Sequence, residues 1–338
     1  MPRSARLDAP GVLHHVMIRG IERRKIFWTN RDRDEFLERL GTLLTETKTE
    51  CFAWVLMHNH AHFLFRSGNT GLPTLMRRLL TGYVVSFNLR HKRHGLLFQN
   101  RYKSIICQED KYFKELVRYI HLNPLRGNIV KDLKELGDFA YCGHSVLLDK
   151  INVSWQNVDY VLGYFSNSKR EAKRRYLSYV KAGISQGRRD DLVGGGLIRS
   201  LGGWDAVKRA RNRGAQRIKG DERILGDSDF VQSILAEADE RLNRKYELKQ
   251  LGYDLDKIAE KVCNIYELDS AYLYSKGRQK KKVAARSLFC YWASRKLGIS
   301  LTDLARKLEI SPSAVGYAVI RGEAIANKYN YRLRDDNN

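Results

Sequence analysis

Two histidines stand two residues apart at His60-Ala61-His62. On an extended strand, residues at that spacing point to the same face. Two imidazoles so placed can share one divalent ion. A pair of surface histidines on a strand has the same pattern. His58 shares their parity but falls in the turn before the strand, where it could only support the other two. The second candidate group is Tyr119. In the helix expected over 110–123 the apolar stripe is Phe113, Leu116, Val117 and Ile120. Tyr119 is left off that stripe, on a face with Glu115 and Asn123 at i±4 spacing. A phenol is a weak nucleophile until a metal polarises its target or a base takes its proton. An amide oxygen from Asn123, one turn on, could be a third ligand. A hard oxygen beside two imidazoles suits Mg2+ or Mn2+ better than tetrahedral zinc. With 18 tyrosines in the chain, spacing alone does not select Tyr119.

The elements that must position these groups follow from periodicity. Residues 12–18 read as a strand closed by Arg19-Gly20, and 31–48 as a helix with Phe36, Leu37, Leu40, Leu43 and Leu44 on one stripe. Residues 51–57 read as a buried strand, His58-Asn59 as a turn, and 60–66 as the next strand. Pro73 opens a helix to about Arg90, and 96–107 is another strand region. The 110–123 helix should stop at Pro124, since the residue before proline resists the helical conformation. Strands separated by helices around a central hairpin suggest an α+β sheet covered on one face. Residues 151–185 read as two basic helices, and the glycine-rich stretches at 194–196 and 202–220 as a linker region. From about 227 the pattern is helical and ends in a helix-turn-helix. Leu301–Leu308 is capped by Ser300, and a second helix is capped by Ser311 with Pro312 at its first position.

The bulk composition narrows the partners. Lys plus Arg is 61 against 38 for Asp plus Glu, a net charge of +23 in 338 residues. Charge spread along the whole chain suits a polyanion, whose counterions it releases, better than a membrane surface. Arg77, Arg78, Arg90, Lys92, Arg93, Arg101 and Lys103 surround Tyr83, Phe87, Phe98 and Tyr102. Cations can track a phosphate backbone while rings stack on unpaired bases. The alternative is that these rings are core and the charges a solvated face. Arg19 and Arg126 join the candidate DNA contacts. The five cysteines form no CxxC pair, which argues for a reduced, cytoplasmic protein with neither disulfides nor a zinc site. No signal peptide and no membrane span are expected. All nine histidines lie at or before His144, so a histidine metal site must be in the first part of the chain.

Longer strings sharpen the reading. Met57-His58-Asn59-His60-Ala61-His62-Phe63-Leu64 resembles the Met-Pro-Asn-His-x-His-Leu-Leu motif of single-tyrosine HUH transposases. Phe98-Gln99-Asn100-Arg101-Tyr102-Lys103, with Val117-Arg118-Tyr119-Ile120-His121-Leu122-Asn123-Pro124-Leu125-Arg126, resembles the tyrosine-helix signature of the REP-associated branch. His15-Val16-Met17-Ile18-Arg19-Gly20 is similar to the family's first strand. The resemblance spans roughly residues 10–145 and departs from the pattern at His58, where proline is usual. It implies a ferredoxin-like fold with an antiparallel central sheet and both histidines on a central strand. It implies a metal on His60 and His62 that grips the scissile phosphate. Tyr119 would attack, leaving a 5′-phosphotyrosine and a free 3′-hydroxyl. Asn123 would be the further ligand, with His121 as the alternative. The implied substrate is single-stranded DNA with hairpins.

Residues 258–321 resemble the DNA-binding domain of the replication initiator DnaA, through Lys280-Lys281-Lys282-Val283-Ala284-Ala285-Arg286, Tyr291-Trp292-Ala293 and Leu301–Val319. Where that domain reads bases with Asp-His-Thr-Thr, this chain has Ser311-Pro312-Ser313-Ala314. Lys281 and Ser313 are the candidate duplex contacts there, and a helical bundle used for dimerisation is the alternative. The expected organisation is thus a catalytic domain over 1–150, a helical, basic linker region over 151–225, and an all-α helix-turn-helix domain over 226–330. The expected activity is metal-dependent cutting and rejoining of DNA by a transposase, with a homodimer allowed. The rivals are a DNA-binding regulator that does not cut and a replication initiator. The absence of a Gly-rich Lys-Ser/Thr loop counts against an ATP-driven initiator.

Overall fold

Strand alternation builds the first layer. In Leu13–Arg19 (β1), Val16 and Ile18 turn to one face, while Leu13, His15 and Met17 turn to the other. The computed structural model describes residues 7–8, 10–68, 70–187, 189–196, 220–275, 277 and 279–333. After β1 come α1 (Asn30–Thr47), β2 (Glu50–Leu56), β3 (His60–Arg66), α2 (Leu72–Arg90) and β4 (Lys103–Cys107). The four strands lie in the order β2-β3-β1-β4, every pairing antiparallel. This is the ferredoxin-like α+β order. A two-residue strand, β5 (Ile224–Leu225), joins the β4 edge in parallel.

The helices form for local reasons. Thr29 and Asp32 make a reciprocal capping box at the start of α1. Phe36, Leu40, Leu43 and Leu44 then recur at helical spacing and bury against Val16, Ile18, Trp54, Phe63 and Phe65. Leu75, Met76, Leu79, Tyr83 and Phe87 of α2 complete that layer. A register shift between Cys51 and Ala53 bulges β2, so Phe52 and Ala53 both serve the opposite face.

That opposite face is covered too, contrary to the one-sided sheet expected from the element order. The covering helix is α3 (Glu109–His121), with α4 (Asn123–Arg126), α5 (Leu133–Asp138), α6 (Gly143–Leu147), α7 (Val158–Gly163) and α8 (Lys169–Ala182). Phe113, Leu116, Val117 and Ile120 of α3 pack with Phe52, Val55 and Leu64 of the sheet, and with Val161, Tyr176 and Val180 beyond them. Helix α3 stops at His121, short of Pro124 as expected, and Pro124 then sits in the first turn of the separate helix α4, where its missing N–H costs nothing.

Two units result, Met1–Ala238 and Asp239–Asn338, and this division differs from the boundaries expected at 150 and 225. The 151–225 segment does not separate from the sheet, because α7 and α8 are part of its second layer and β5 is one of its strands. Helix α9 (Ser228–Gln250) starts in the first unit, where Val231 and Ile234 pack on Ile106 and Ile224. Asp227 also binds Gln108 and Lys111. Most of the stretch read as a linker, 197–219, lies outside the described residues.

The second unit is helical among its described residues: α10 (Leu255–Tyr266), α11 (Ser270–Tyr274), α12 (Lys280–Tyr291), α13 (Leu301–Lys307) and α14 (Pro312–Tyr329). Ser300 and Ser311 cap α13 and α14 as expected. Helices α12 and α14 approach closely at Gly322, where any Cβ would overlap the Ser287 carbonyl oxygen. Lys281 and Ser313 are exposed. A fragment ending at Ala238 should melt cooperatively by circular dichroism. One ending at Leu225 should melt at least several degrees lower, because it strips the Val231 and Ile234 contacts from β4 and β5. Equal melting of the two would move the boundary back.

Candidate active site

His60 and His62 lie on β3 and point to the α3 side of the sheet, with ring centroids 5.3 Å apart. The register sets Arg19 opposite His60 and Met17 opposite His62. One step along β1, on the same face, is His15. His15 is fully buried, and its two ring nitrogens are both engaged. Nδ1 is 3.0 Å from the Leu192 carbonyl oxygen, and Nε2 is 2.9 Å from His62 Nδ1.

This chain of bonds fixes the protons. A carbonyl oxygen only accepts, so His15 Nδ1 carries the hydrogen. Burial, offset in part by the Leu192 bond, lowers the His15 pKa to about 4, so the ring is neutral and its Nε2 is an acceptor. His62 Nδ1 must therefore donate, which leaves His62 Nε2 as a bare lone pair. His60 is treated alike. Asn59 Nδ2 donates to the Arg23 carbonyl at 2.9 Å, turning Asn59 Oδ1 toward His60 Nδ1 at 2.6 Å. Nδ1 donates there and Nε2 is again bare. Burial, with the nearby Arg19 charge, lowers the His60 pKa to about 4. Burial and the neighbouring His15, His60 and Arg19 hold His62 well below its ordinary value. Two neutral imidazoles with anchored Nδ1–H groups and open Nε2 atoms could serve as two donors to a divalent cation. Among the described residues, no three His, Cys, Asp or Glu side chains converge, so a cation here would complete its shell with amide, water or phosphate oxygen.

Tyr119 reaches this face from α3. Its ring centroid is 5.8 Å from that of His62 and 5.7 Å from that of His15, edge-on to both. The Arg126 guanidinium carbon lies 5.5 Å from the centre of the Tyr119 ring. Arg126 donates to the Gly183 carbonyl, while its Nε and Nη1 are buried without a partner. Asn123 turns back on its own helix: Nδ2 donates to the Tyr119 and Ile120 carbonyls at 2.9 and 3.3 Å. Only its Oδ1 is left for another partner. His121, the alternative ligand, is fully buried beside Tyr176 and His144. There Tyr176 Oη bridges His121 Nδ1 at 2.8 Å and His144 Nδ1 at 2.6 Å. His58 gives no support to the other histidines. It is exposed in the turn, with Arg33 at its Nδ1. Glu115 is paired with Arg118 and Arg189.

The expected DNA contacts divide. Arg19, Arg77 and Arg101 are exposed. Arg78 is ion-paired with Glu46 on a partly exposed surface, and Arg90 with the buried Asp32 and with Glu35. Lys103 Nζ holds the Val193 carbonyl, next to the Leu192 carbonyl that His15 holds. The rings expected to stack on bases, Tyr83, Phe87, Phe98 and Tyr102, are buried core. Sequence reasoning missed His15, Asn59 and the Leu192 carbonyl. The parity of His15 on β1 was a signal, but its register against His62 was not visible.

Residues 10–123 match the family model described as "Transposase IS200 like". A solved REP-associated tyrosine transposase, bound to a REP hairpin, is similar over 46% of this chain and 98% of that one, at 16% identity and a TM-score of 0.37. No curated protein matches the chain. The family match supports a transposase-type, DNA-processing function for this part of the chain. Among the described residues, no helix is long and apolar enough to cross a membrane.

Two expectations follow from the bonding. His15→Phe keeps the bulk of the ring but removes the acceptor for His62 Nδ1–H. It should weaken Mn2+ binding, followed by titration calorimetry, by about 10–100-fold; unchanged affinity would sink the positioning role. His15, His60 and His144 have pKa values lowered to about 4, so below 6.5 the unfolded chain binds more protons than the folded one. Stability to urea should be full above pH 6.5 and fall steadily toward pH 4.

Proposed function

We propose that this chain is a metal-dependent endonuclease and strand transferase acting on single-stranded, hairpin-containing DNA. Tyr119 is its nucleophile, and His60 and His62 are its metal ligands. The observation that carries the reading is the convergence of the Tyr119 ring on two imidazoles whose Nδ1 atoms are tied off and whose Nε2 atoms are open.

The chain's own groups suffice for the steps on the protein side. Tyr119 Oη attacks the scissile phosphorus and the P–O3′ bond breaks. The phenol gives up its proton as it attacks, the electron pair leaves on O3′, which takes up one proton, and the strand's 5′ end stays on the enzyme as a phosphotyrosine. Attack by a 3′-hydroxyl reverses the step and restores the phenol, so rejoining needs no outside energy source. Arg126 stabilises negative charge on the phenolic oxygen and on the phosphate, since two of its N–H groups have no other partner. Arg19, opposite His60, adds a fixed positive charge where the DNA backbone enters. Asn123 locks the end of the tyrosine helix and can offer Oδ1 to the cation. A divalent cation, Mg2+ or Mn2+, would polarise the scissile phosphate. In the second unit, the exposed Lys281 and the first turn of α14 around Ser313 are suited to flanking duplex or a hairpin stem.

A denaturing gel with a labelled hairpin oligonucleotide tests the reading. With Mg2+ or Mn2+ a covalent protein–DNA band should form, and chelator should abolish it. Tyr119→Phe should lose the band while binding the hairpin within about twofold of wild type, because only the nucleophilic oxygen is gone. A band that survives in Tyr119→Phe would place the nucleophile elsewhere. His60→Ala and His62→Ala should each lower cleavage by at least about 100-fold, a conservative figure for loss of one ligand; undiminished cleavage by either would remove that ligand.

A further inference from the structure

The loop between β1 and α1 builds a second site beside the turn that carries His60. A cavity of about 350 Å³ opens there, lined by Arg24, Lys25, Trp28, His91, Lys92 and Arg93. Trp28 is 52% exposed, which is unusual for so large a ring. It is nonetheless held in place. Its backbone N–H donates to Asp32 Oδ2 at 2.9 Å, and Asp32 Oδ1 holds His91 Nε2 at 2.9 Å. The Trp28 and His91 rings therefore sit 4.6 Å apart, with Phe87 packed edge-on behind Trp28 at 5.4 Å. Asp32 is itself fully buried and clamped by Arg90 at 2.6 Å. The result is a rigid aromatic shelf that leaves much of one large ring in solvent.

The Arg and Lys side chains that line the cavity give it a cationic wall. Arg24 has an ion pair, with Glu22, but both side chains are about two-thirds exposed and the pair is worth little. Arg93 donates to the Asn88 side chain and the Leu96 carbonyl, neither of which is charged. Among the described residues, no carboxylate lies within ion-pairing distance of Lys25, Lys92 or Arg93. A planar π face beside several uncompensated cations matches a base with its phosphates. A duplex does not fit, because its base faces are stacked on one another, and the volume is near the low end of the small-ligand range of about 300–1,000 Å³.

We propose that this cavity binds one unpaired nucleotide of a DNA strand, its base on Trp28 and its phosphates on Lys25, Lys92 and Arg93. The inference rests on the reading of the chain as a protein that handles single-stranded DNA. The loop is stitched to the active site. Asn59, the partner of His60, donates to the Arg23 carbonyl, and the Ile26 and Phe27 N–H groups both donate to the His58 carbonyl. Glu22 and Arg23 hold left-handed backbone conformations at φ 52° and 60°, which side chains rarely adopt. A nucleotide seated on Trp28 thus bears on the same hydrogen-bonded loop that orients His60.

The test uses the full chain carrying Tyr119→Phe, in chelator, so that no cleavage intervenes. A labelled hairpin with a single-stranded tail, and the same hairpin without the tail, are titrated by fluorescence anisotropy. Trp28→Ala should weaken binding to the tailed hairpin about 10-fold, within what one base stack supplies, and leave the tailless hairpin unchanged. Trp28→Phe should recover most of the loss. Replacing tail bases one at a time by abasic sites should reproduce the loss at one position, and that loss should vanish in Trp28→Ala. Lys92→Gln should lower the salt slope by about 1 on the tailed hairpin only. The proposal is overturned if Trp28→Ala affects both hairpins equally, if no abasic position is coupled to it, or if the tail adds no affinity. Cleavage is read separately on the wild-type chain, so a chain that binds the tail but never forms a covalent band would overturn the nuclease reading and not this one.

Discussion

The hydrogen-bond chain from the Leu192 carbonyl through His15 to His62 sets the conditions under which the rest of the site has meaning. An imidazole can present its lone pair at either nitrogen, and a β-strand alone does not choose. Here the choice is made at the far end of the chain of bonds, by a carbonyl that can only accept. The Asn59 amide, oriented by the Arg23 carbonyl, makes the same choice for His60. Burial then keeps these rings neutral. Each device is a minor one, but together they convert two histidines on a strand into a matched pair of open donors.

Much of this was legible in the sequence. The alternation in β1 and β3, the stripes of α1, α2 and α3, and the caps at Ser300 and Ser311 are local patterns, and local patterns survive into the fold. The parity of His60 and His62 and the position of Tyr119 off the α3 stripe carried over as well. What was not legible depended on pairing between distant segments. His15 meets His62 only because of the β1–β3 register, and it meets Leu192 only because the chain returns after α8. The second layer was missed for the same reason: α7 and α8 read as basic surface helices, and nothing local says which stripe finds the sheet.

The aromatic and basic residues show the limit from the other side. Tyr83, Phe87, Phe98 and Tyr102 lie among arginines in the sequence, but their rings fill the core. Arg78 and Arg90 are tied to carboxylates on α1, where they hold α1 to α2. A buried ring gains more from leaving water than an exposed one can gain from an absent partner, so the core claims the aromatics first. Trp28 is a ring that stays outside, held at the N-terminus of α1 by the same Asp32 that caps the helix. One carboxylate thus starts the helix, clamps α2 through Arg90 and sets the exposed shelf.

The position of Leu192 in the chain bears on when the protein can become active. A ribosome delivers the chain from its N-terminus, and every residue proposed to act directly on DNA chemistry, from Arg19 to Arg126, emerges before it. Until Leu192 and Val193 have folded back onto His15 and Lys103, the His62 ring has no reason to prefer one tautomer. A nascent or prematurely ended chain therefore carries the whole motif set without an ordered site. On the function proposed above, an ordered site arrives late in synthesis, because the bond that orients His15 is made by a residue near the end of the first unit.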